Sequence, residues 1–371
     1  ALMPTIPFPT LCVAPYLCCV PGQAPFLLFP ILPNHPSSGV RSRTMTAGAT
    51  PTGREDSSEI TDLRGFPTPL SPPHPPLSKQ VELRRAMAAS SRWALFALTG
   101  GDIVFEDAWL AVVNKPSGIY CETLLSAYSA LVALPSSSST PPPPPPTGGD
   151  GGAAAPELHL ANRLDRDTSG LMVITKSHKA ASKLVRAFTD HRVKKTYIAL
   201  CTGRAPAWGR IRISSGHGRS KFGAWRVYSA SDVGRALPGG SIVKHMATCL
   251  ELLAVSGRGG HGEAETVVVE ERAGAPAEEE ETGREPTEEI LVRAHPESGR
   301  THQIRLHCQF LGMPIKGDVK YGGVCEWEGA ACDSHALHAE SLQLEHPVTG
   351  LPLRFCAPLP PWATQAFAAI V

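Results

Sequence analysis

HLANRLDRDTSGLMVITK, residues His159 to Lys176, contains both a polar turn and a core strand, and the plan of the chain can be worked out from it. The turn leads through Thr-Ser-Gly into the apolar run Leu171 to Ile174, and such a run predicts a buried strand. In the extended segment before it, Leu164 points to the core, which leaves Arg163 and Asp165 on the opposite side. The stretch therefore predicts a turn that presents the carboxylate of Asp165.

Two interpretations of Asp165 stay open on these residues alone. In the structural one, Asp165 bridges Arg163 and Arg166 within the turn, and Arg166 pairs with Asp167 to tie it down. In the catalytic one, Asp165 is the reactive carboxylate of a cleft. A glycoside hydrolase pair of Asp165 and Asp167 is disfavoured, because such carboxylates must flank a sugar from opposite sides and these two share one turn.

The composition indicates one folded domain with linkers rather than a continuous globule. The chain has 371 residues, 42% of them hydrophobic, but also 36 prolines and 34 glycines. A Ser-Pro run followed by Gly and Ala predicts a low-complexity insertion at about 135–155, and an acidic segment without a fold predicts another at about 256–289. We therefore expect a catalytic domain at 96–371, with order beginning near Trp93.

The N-terminal region, residues 1–95, is expected to be disordered or to act in targeting. Residues 1–40 lack Asp, Glu, Lys and Arg, but nine prolines would break a spanning helix, so no membrane segment is expected. Residues 41–92 are rich in Ser, Thr, Pro and Arg, yet carry more acids than transit peptides usually do. A transit peptide and a disordered tail therefore both stay open.

Cysteines and histidines give no metal pattern. The ten cysteines form no C-x-x-C pair, which fits a reduced intracellular protein of the cytoplasm, a chloroplast or a mitochondrion. His302 and His307 lie near Cys308, and His335 lies near His338. They form no quartet with a carboxylate or thiolate, so hydrogen bonding is expected rather than metal ligation.

Charge is segregated along the chain, although the formal net charge is only +1. Residues 159–227 carry fifteen Lys or Arg against three Asp, whereas residues 261–289 carry eleven Glu against two Arg. The basic segment suits a polyanion. Within it, residues 210–228 mix basic and aromatic residues with Gly, which predicts a flexible surface for nucleic acid, with His217 as an RNA-facing loop residue at most.

Apolar periodicity predicts the other elements. Strands are predicted over 102–106, 109–113, 171–174, 194–200, 289–294 and 337–344. Helices are predicted over 122–134, over 178–191 with Ser177 as N-cap, and from about His302. The buried face of the second helix is expected to contain Ala181, Leu184, Val185 and Phe188. The third is expected to bury Ile304, Cys308 and Leu311, leaving Gln303 and Arg305 away from the deepest core.

Two further side chains have alternative roles. Lys115 ends a predicted strand beside a turn, where it either meets a phosphate or is solvated. Tyr197 lies in an alternating strand, so it is either a core aromatic with a bonded hydroxyl or a residue of the opposite face.

Six blocks of the chain, in order, resemble the RluA-type family of RNA pseudouridine synthases. They are VVNKPSG (Val112 to Gly118), NRLDRDTSGLMVITK (Asn162 to Lys176), VKKTYIAL (Val193 to Leu200), GRTHQIRLH (Gly299 to His307), LGMPIKGDVKYG (Leu311 to Gly322) and LHAESLQLEHPVTG (Leu337 to Gly350) followed by FCAPLP. The family usually has His where this chain has Asn162, and no S4-type RNA-binding module is recognisable in residues 1–95.

This resemblance implies a mixed α/β (α+β) fold with an antiparallel-rich central sheet in two halves, flanking helices and a catalytic cleft. It implies the isomerisation of uridine to pseudouridine in tRNA or rRNA, with C5–C1′ replacing the N1–C1′ bond, by a monomer that uses no cofactor and no metal. A catalytically silent RNA-binding protein on the same fold is the alternative, and the retained Asp165, Tyr197 and Arg305 argue against it.

The resemblance also implies roles for single residues. Asp165 would be the nucleophile or general base, by attack at C1′, addition at C6 or a glycal route. Tyr197 would stack on the uracil and assist proton removal, and Arg305 would pair with Asp165 and fill the space left by the extruded base. The side chains expected to contact RNA are Lys115, Arg163, Arg166, Lys195, Arg219, Lys221 and Gln303.

Overall fold

The computed structural model describes residues 65–76, 78–93, 95–133, 157–270, 287–327 and 329–370. All of them fall in one compact unit, Thr61–Val371. The predicted insertion at about 135–155 and residues 1–64 lie outside the described residues. In the part that is described, no helix has the length and apolar character needed to cross a membrane.

Short helices surround one large sheet. The helices within the described residues are α1 (Ser78–Trp93), α2 (Cys121–Ala133), α3 (His178–Thr189), α4 (Gln303–Phe310) and α5 (Pro361–Ala368). The strands there are β1 (Ile103–Glu106), β2 (Leu110–Lys115), β3 (His159–Leu160), β4 (Ser169–Thr175), β5 (Lys194–Gly203), β6 (Trp208–Arg219), β7 (Trp225–Tyr228), β8 (Lys244–Val255), β9 (Arg258–Gly259), β10 (Glu263–Val268), β11 (Glu288–Pro296), β12 (Glu326–Trp327), β13 (Ala330–Ala331), β14 (Leu337–Glu345) and β15 (Pro352–Cys356).

The main sheet runs in the order β1-β2-β4-β14-β5-β11-β8-β6-β10. Its pairs are antiparallel except for β4 with β14 and β6 with β10. The sheet narrows at β4 and β14, where only His338 pairs with Ser169 and Ala339 with Gly170. This narrow junction divides the sheet into two halves, so the predicted α+β fold class is confirmed.

Strand β4 is the centre of the first half because it is buried on both faces. Leu171 and Val173 pack on the side of α3, whereas Met172 and Ile174 pack on the side of α2. Alternate side chains of one strand thus enter two cores. Helices α4 and α5 contribute to the core of the second half, which contains β5, β8 and β11.

The structure confirms most of what was predicted for helix α3. The Ser177 side chain accepts a hydrogen bond from the Ala180 amide and caps the helix, and Ala181 and Leu184 are buried. Val185 is exposed, so its predicted burial is wrong. It follows Leu184 by one residue, which turns it about 100° away from the buried face.

The N-terminal boundary of the folded domain differs from the prediction. Residues 65–76 and 78–93, here called the N-terminal arm, are described, and α1 covers most of them. The arm joins the sheet where the Leu70 amide donates to the Val227 carbonyl and the Ser71 hydroxyl accepts from the Val227 amide. Order therefore begins well before Trp93, because the arm is held by polar contacts and small buried residues that leave no apolar periodicity in the sequence.

Part of the acidic segment predicted to lack a fold is also a strand. β10 pairs in parallel with β6, so that Val267 lies opposite Ile213, and Val269 is buried. A β-branched run within the acidic sequence explains this result. Residues 271–286 lie outside the described residues.

The segment predicted to be a flexible basic surface forms a hairpin of β6 and β7. His217 is buried in β6, stacks on Trp225 with ring centroids 4.7 Å apart, and bonds to the Thr301 carbonyl at 3.0 Å. Burial lowers the pKa of His217 to about 4, so it is a neutral core residue. Its prediction as an RNA-facing loop residue is wrong, since flanking glycines here serve close packing rather than a loop.

Candidate active site

A cleft of about 700 Å³ lies where the two halves of the sheet meet. The turn before β4 contributes Asp165, the start of β5 contributes Tyr197, and α4 with its preceding loop contributes His302 and Arg305. The catalytic residues expected from the sequence, far apart in the chain, thus line one cavity.

Asp165 forms the expected ion pair at the floor of this cleft. Its Oδ2 accepts a hydrogen bond from Arg305 Nη1 at 2.8 Å, and its side chain is 28% exposed. Burial alone would raise the pKa of Asp165, but the Arg305 guanidinium holds that pKa well below its usual range. The cleft therefore contains an ionised carboxylate that a ligand can reach.

Arg305 is shared between two carboxylates. While Nη1 bonds to Asp165, Nε and Nη2 donate to Asp318 at 2.6 and 2.8 Å, and the guanidinium lies 5.0 Å from the Tyr321 ring centroid. The side chain is only 5% exposed. Its predicted place away from the core is wrong, because both carboxylates hold it in a buried position.

Tyr197 faces the cleft rather than the opposite side of the sheet. In β5 it pairs with Ala294 on one neighbouring strand and Ala339 on the other, which fixes its direction. Burial, and then the Asp165 charge, raise the pKa of Tyr197 above its ordinary value. Its hydroxyl is accordingly protonated when a substrate arrives.

Sequence patterns did not predict His302 as a site residue. It has a left-handed backbone with φ of 57°, its Nδ1 lies 2.6 Å from Tyr321 Oη, and its Nε2 lies 3.7 Å from Asp165 Oδ1. Burial and Arg305 lower the pKa of His302 to about 3, so the imidazole is neutral. A strained non-glycine backbone marks functional sites, but the sequence showed only a histidine before a helix.

Asp318 was missed as well. It is fully buried in the loop after α4, and the only signal in the sequence was an acid beside glycine within one of the six blocks. Burial would raise the pKa of Asp318, but Arg305 lowers it. Two carboxylates thus share the single guanidinium of Arg305.

Comparisons with known proteins identify the family of the chain. Residues 110–310 match the family model described as RNA pseudouridylate synthase. The chain belongs to the RNA pseudouridylate synthase family. The predicted RluA type and its activity are thereby confirmed, and the protein isomerises uridine to pseudouridine in RNA.

Named relatives of the synthase span most of its length. RNA pseudouridine synthase 1 of Oryza sativa subsp. japonica is 58% identical over 81% of this chain and 84% of its own. The protein of the same name from Arabidopsis thaliana is 54% identical over 80% and 87%. Ribosomal large subunit pseudouridine synthase D of Vibrio vulnificus (strain CMCP6) is 30% identical over 70% and 67%.

Lys115 is placed by the synthase fold where it cannot meet RNA. The side chain is fully buried, and Nζ donates to the carbonyls of Pro116, Ile119 and Arg166 at 2.8 to 2.9 Å. Burial lowers the pKa of Lys115 to about 8. The phosphate contact predicted for it is therefore wrong, because Lys115 instead ties the end of β2 to the turn that carries Asp165.

Arg166 and Gln303, which were also predicted to contact RNA, bond to other residues of the synthase. Arg166 makes a two-point ion pair with Asp167 at 2.7 and 2.8 Å, which confirms that these residues tie down the turn. Gln303 is buried, and its amide oxygen accepts from Ser298 Oγ at 2.7 Å, while its nitrogen donates to the Ala247 carbonyl at 2.7 Å. Arg166 therefore holds the turn from behind the cleft, whereas Gln303 is fixed by hydrogen bonds within the cleft lining.

Four predicted RNA contacts lie at the surface or in the cleft. Arg163 has a 76% exposed side chain on the cleft wall, 3.1 Å from Glu122, and Lys195 in the cleft donates to the Ser298 carbonyl at 3.2 Å. Arg219 lies over the Trp225 ring at 4.9 Å, and Lys221 is exposed in the hairpin.

Two buried histidines of the second half bond to hydroxyl groups. His307 contacts Ser215 and Thr248, and His335 contacts Thr168 at 2.7 Å. Among the described residues, one group of possible metal ligands, Glu157, His159 and His178, has its atoms within 4.8 Å of one another. None of that group lines the cleft, so no metal chemistry of the reaction is assigned to it.

Proposed function

We propose that Asp165 is the residue that carries the isomerisation of uridine. The observation that supports this most is the 2.8 Å ion pair with Arg305, which keeps a partly exposed carboxylate ionised inside a cleft. An ionised carboxylate serves each of the three routes, since it can attack C1′, add at C6 or remove a proton. Because Arg305 is also neutralised by Asp318, the charge of Asp165 is only partly compensated.

The bond changes set what the other cleft residues must do. Isomerisation breaks N1–C1′, forms C5–C1′, removes the proton on C5 and leaves one on N1. Tyr197 is proposed to pack against the uracil, and its raised pKa means that its hydroxyl enters the reaction as a hydrogen-bond donor. His302, neutral and 3.7 Å from Asp165, is placed to orient the carboxylate rather than to supply charge.

RNA is proposed to be held by the exposed cations around the cleft and on the β6–β7 hairpin. Reaching C1′ requires extrusion of the uridine, at a cost of a few kcal/mol that phosphate contacts and stacking offset. Arg163 and Lys195 line the cleft, while Arg219 and Lys221 flank the hairpin tip, where Phe222 is 90% exposed. An exposed aromatic beside cations is suited to base stacking.

Replacement of Asp165 tests the proposal. We expect Asp165→Asn to form no pseudouridine above background in a single-turnover assay, because an amide keeps the shape but neither attacks nor accepts the proton. Asp190→Asn is the matched control, since Asp190 ends α3 in exposed ion pairs, and it should react at the wild-type rate. Measurable turnover by Asp165→Asn would overturn the assignment.

The alternatives predict other outcomes. A glycoside hydrolase pair is unsupported, because Asp167 is buried against Arg166 and does not line the cleft. A silent RNA-binding protein would bind RNA with no pseudouridine formed by the wild type in that assay.

The substrate is proposed to be a tRNA or an rRNA, and the enzyme to act as an intracellular monomer. One chain supplies Asp165, Tyr197 and Arg305, so the cleft needs no partner subunit to be complete. Mapping pseudouridines in cells with and without the protein identifies the RNA. Light scattering after size exclusion tests the monomer, and a fluorescent fusion distinguishes the cytoplasm, chloroplast and mitochondrion.

A further inference from the structure

The N-terminal arm lies against the rear of the cleft. Helix α1 packs on the short turn Val319–Tyr321 of the Asp318 loop and also contacts the turn after Asp165. These two segments hold the two carboxylates that share Arg305. The arm precedes residues 110–310, which match the family model, so its position is a property of this chain that the family match does not describe.

Arg85 is the side chain of α1 that contacts both segments. Its guanidinium donates to the carbonyls of Gly317 (2.9 Å) and Cys332, and Nη1 lies 3.7 Å from Asp167 Oδ2. Gly317 directly precedes Asp318 in the chain, and Asp167 follows Asp165 by two residues. A single rigid, planar group therefore joins the backbone next to one carboxylate with the turn that carries the other.

Glu82 reinforces this connection one helical turn earlier. Its carboxylate lies 3.5 Å from Arg166 Nη2 and 3.9 Å from Arg85 Nη1. Together with Arg166 and Asp167, the two residues of α1 form a network of four groups with alternating charge. The Arg85 side chain is only 10% exposed. At such burial water does not replace a missing hydrogen-bond partner well, so removing Arg85 takes a donor from the carbonyls of Gly317 and Cys332 and leaves Asp167, among the described residues, held by Arg166 alone.

We propose that Arg85 is a positioning residue for the reaction, which fixes the separation of the Asp165 and Asp318 segments so that Arg305 bridges both carboxylates. The inference rests on the proposed role of Asp165. Arg85 touches neither the cleft nor the substrate; it acts through Asp167 and the Gly317 backbone. A displacement of about 1 Å at reacting groups can cost on the order of 100-fold in rate, so a distant brace can matter as much as a direct contact.

The test compares three full-length variants with the wild type: Arg85→Ala, Arg85→Lys and, as matched control, Arg84→Ala, which removes an exposed arginine from the same helix. We expect Arg85→Ala to lower the single-turnover rate by about 10- to 100-fold with RNA affinity changed less than about twofold. Arg85→Lys should be nearly as slow, because one ammonium cannot span three acceptors. Arg84→Ala should react at the wild-type rate.

Two further measurements separate positioning from loss of structure. Guanidinium at low millimolar concentration should restore part of the rate of Arg85→Ala and leave Arg84→Ala unchanged. The acid limb of the rate–pH profile should move to higher pH in Arg85→Ala, because a loosened Arg305 contact raises the pKa of Asp165. Circular dichroism checks that each variant is folded at the assay temperature.

The outcomes distinguish this inference from the proposed function. Full activity of Arg85→Ala together with an inactive Asp165→Asn would overturn the role of Arg85 alone. A slow Arg85→Ala with an unshifted pH profile and no response to guanidinium would also overturn it, since that is the behaviour of a general loss of stability. An active Asp165→Asn would instead overturn the proposed function, whatever the Arg85 variants do.

Discussion

Arg305 sets the electrostatics of the cleft because it serves two carboxylates at once. Burial opposes the ionised form of Asp165 and of Asp318, and the shared guanidinium keeps both ionised. A buried cation with a single carboxylate would be neutral as a pair. With Asp318 as a second partner of the guanidinium, the charge of Asp165 is only partly compensated.

The depressed pKa of Asp165 predicts how stability depends on pH. Because the folded-state pKa lies below the unfolded value of about 3.9, the ionised form contributes stability above that value and loses it as pH falls toward the folded pKa. The difference in free energy of unfolding between the wild type and Asp165→Asn should therefore shift against the wild type below about pH 4. Urea unfolding from pH 7 to pH 3 measures it, and a difference independent of pH would contradict the ion pair.

At the scale of elements, the junction of β4 and β14 holds the cleft together. The two strands pair over only two positions, and the turn that carries Asp165 lies directly before this pairing. Gly170 has φ of +110°, and a Cβ there would overlap the backbone of Ala339. The close approach of β4 and β14 therefore requires glycine at position 170.

Gly170→Ala is expected to lower the free energy of unfolding by more than about 3 kcal/mol, because backbone strain adds to the overlap with β14. Gly350→Ala is the matched control, since Gly350 has φ of +74° with nothing within 4 Å of a Cβ, and it should cost about 1 to 2 kcal/mol of strain alone. Urea unfolding compares the two variants. Equal losses would show that the close approach of β14 adds nothing.

At the scale of the whole molecule, the basic segment of the chain is distributed over several elements. The basic residues of 159–227 are distributed over the cleft wall, α3 and the β6–β7 hairpin, while the acidic strand β10 lies at the edge of the sheet beyond β6. A polyanion therefore meets positive charge on the cleft wall, on α3 and on the hairpin.

Salt dependence tests this surface. In the Asp165→Asn background, replacing Arg186, Arg219 and Lys221 by Ala should weaken binding of unrelated RNAs and flatten the salt slope by about 0.7 to 0.9 for each phosphate that is no longer neutralised. Tyr197→Phe should leave the slope unchanged, because Tyr197 faces the cleft. Filter binding at several salt concentrations measures both, and an unchanged slope in the triple variant would place the RNA elsewhere.

Local sequence predicted the elements and the turn that presents Asp165 well. The buried strand β4, the Ser177 cap of α3 and the tie between Arg166 and Asp167 follow from patterns within a few residues. Six ordered blocks then indicated the family and, with it, the pairing of Asp165 with Arg305. Such features depend on propensity, hydrophobic period and short-range bonding, which neighbouring residues determine.

Tertiary structure decided which polar side chains are free to act. Lys115, Gln303 and His217 have the composition of surface contacts, but each is buried with partners from distant segments. The N-terminal arm and strand β10 are ordered for the same reason, since their partners lie far along the chain. A sequence records the chemical groups, whereas burial and pairing over long separations depend on the packing of the whole chain, and these alone determine whether a lysine meets RNA or braces the turn of Asp165.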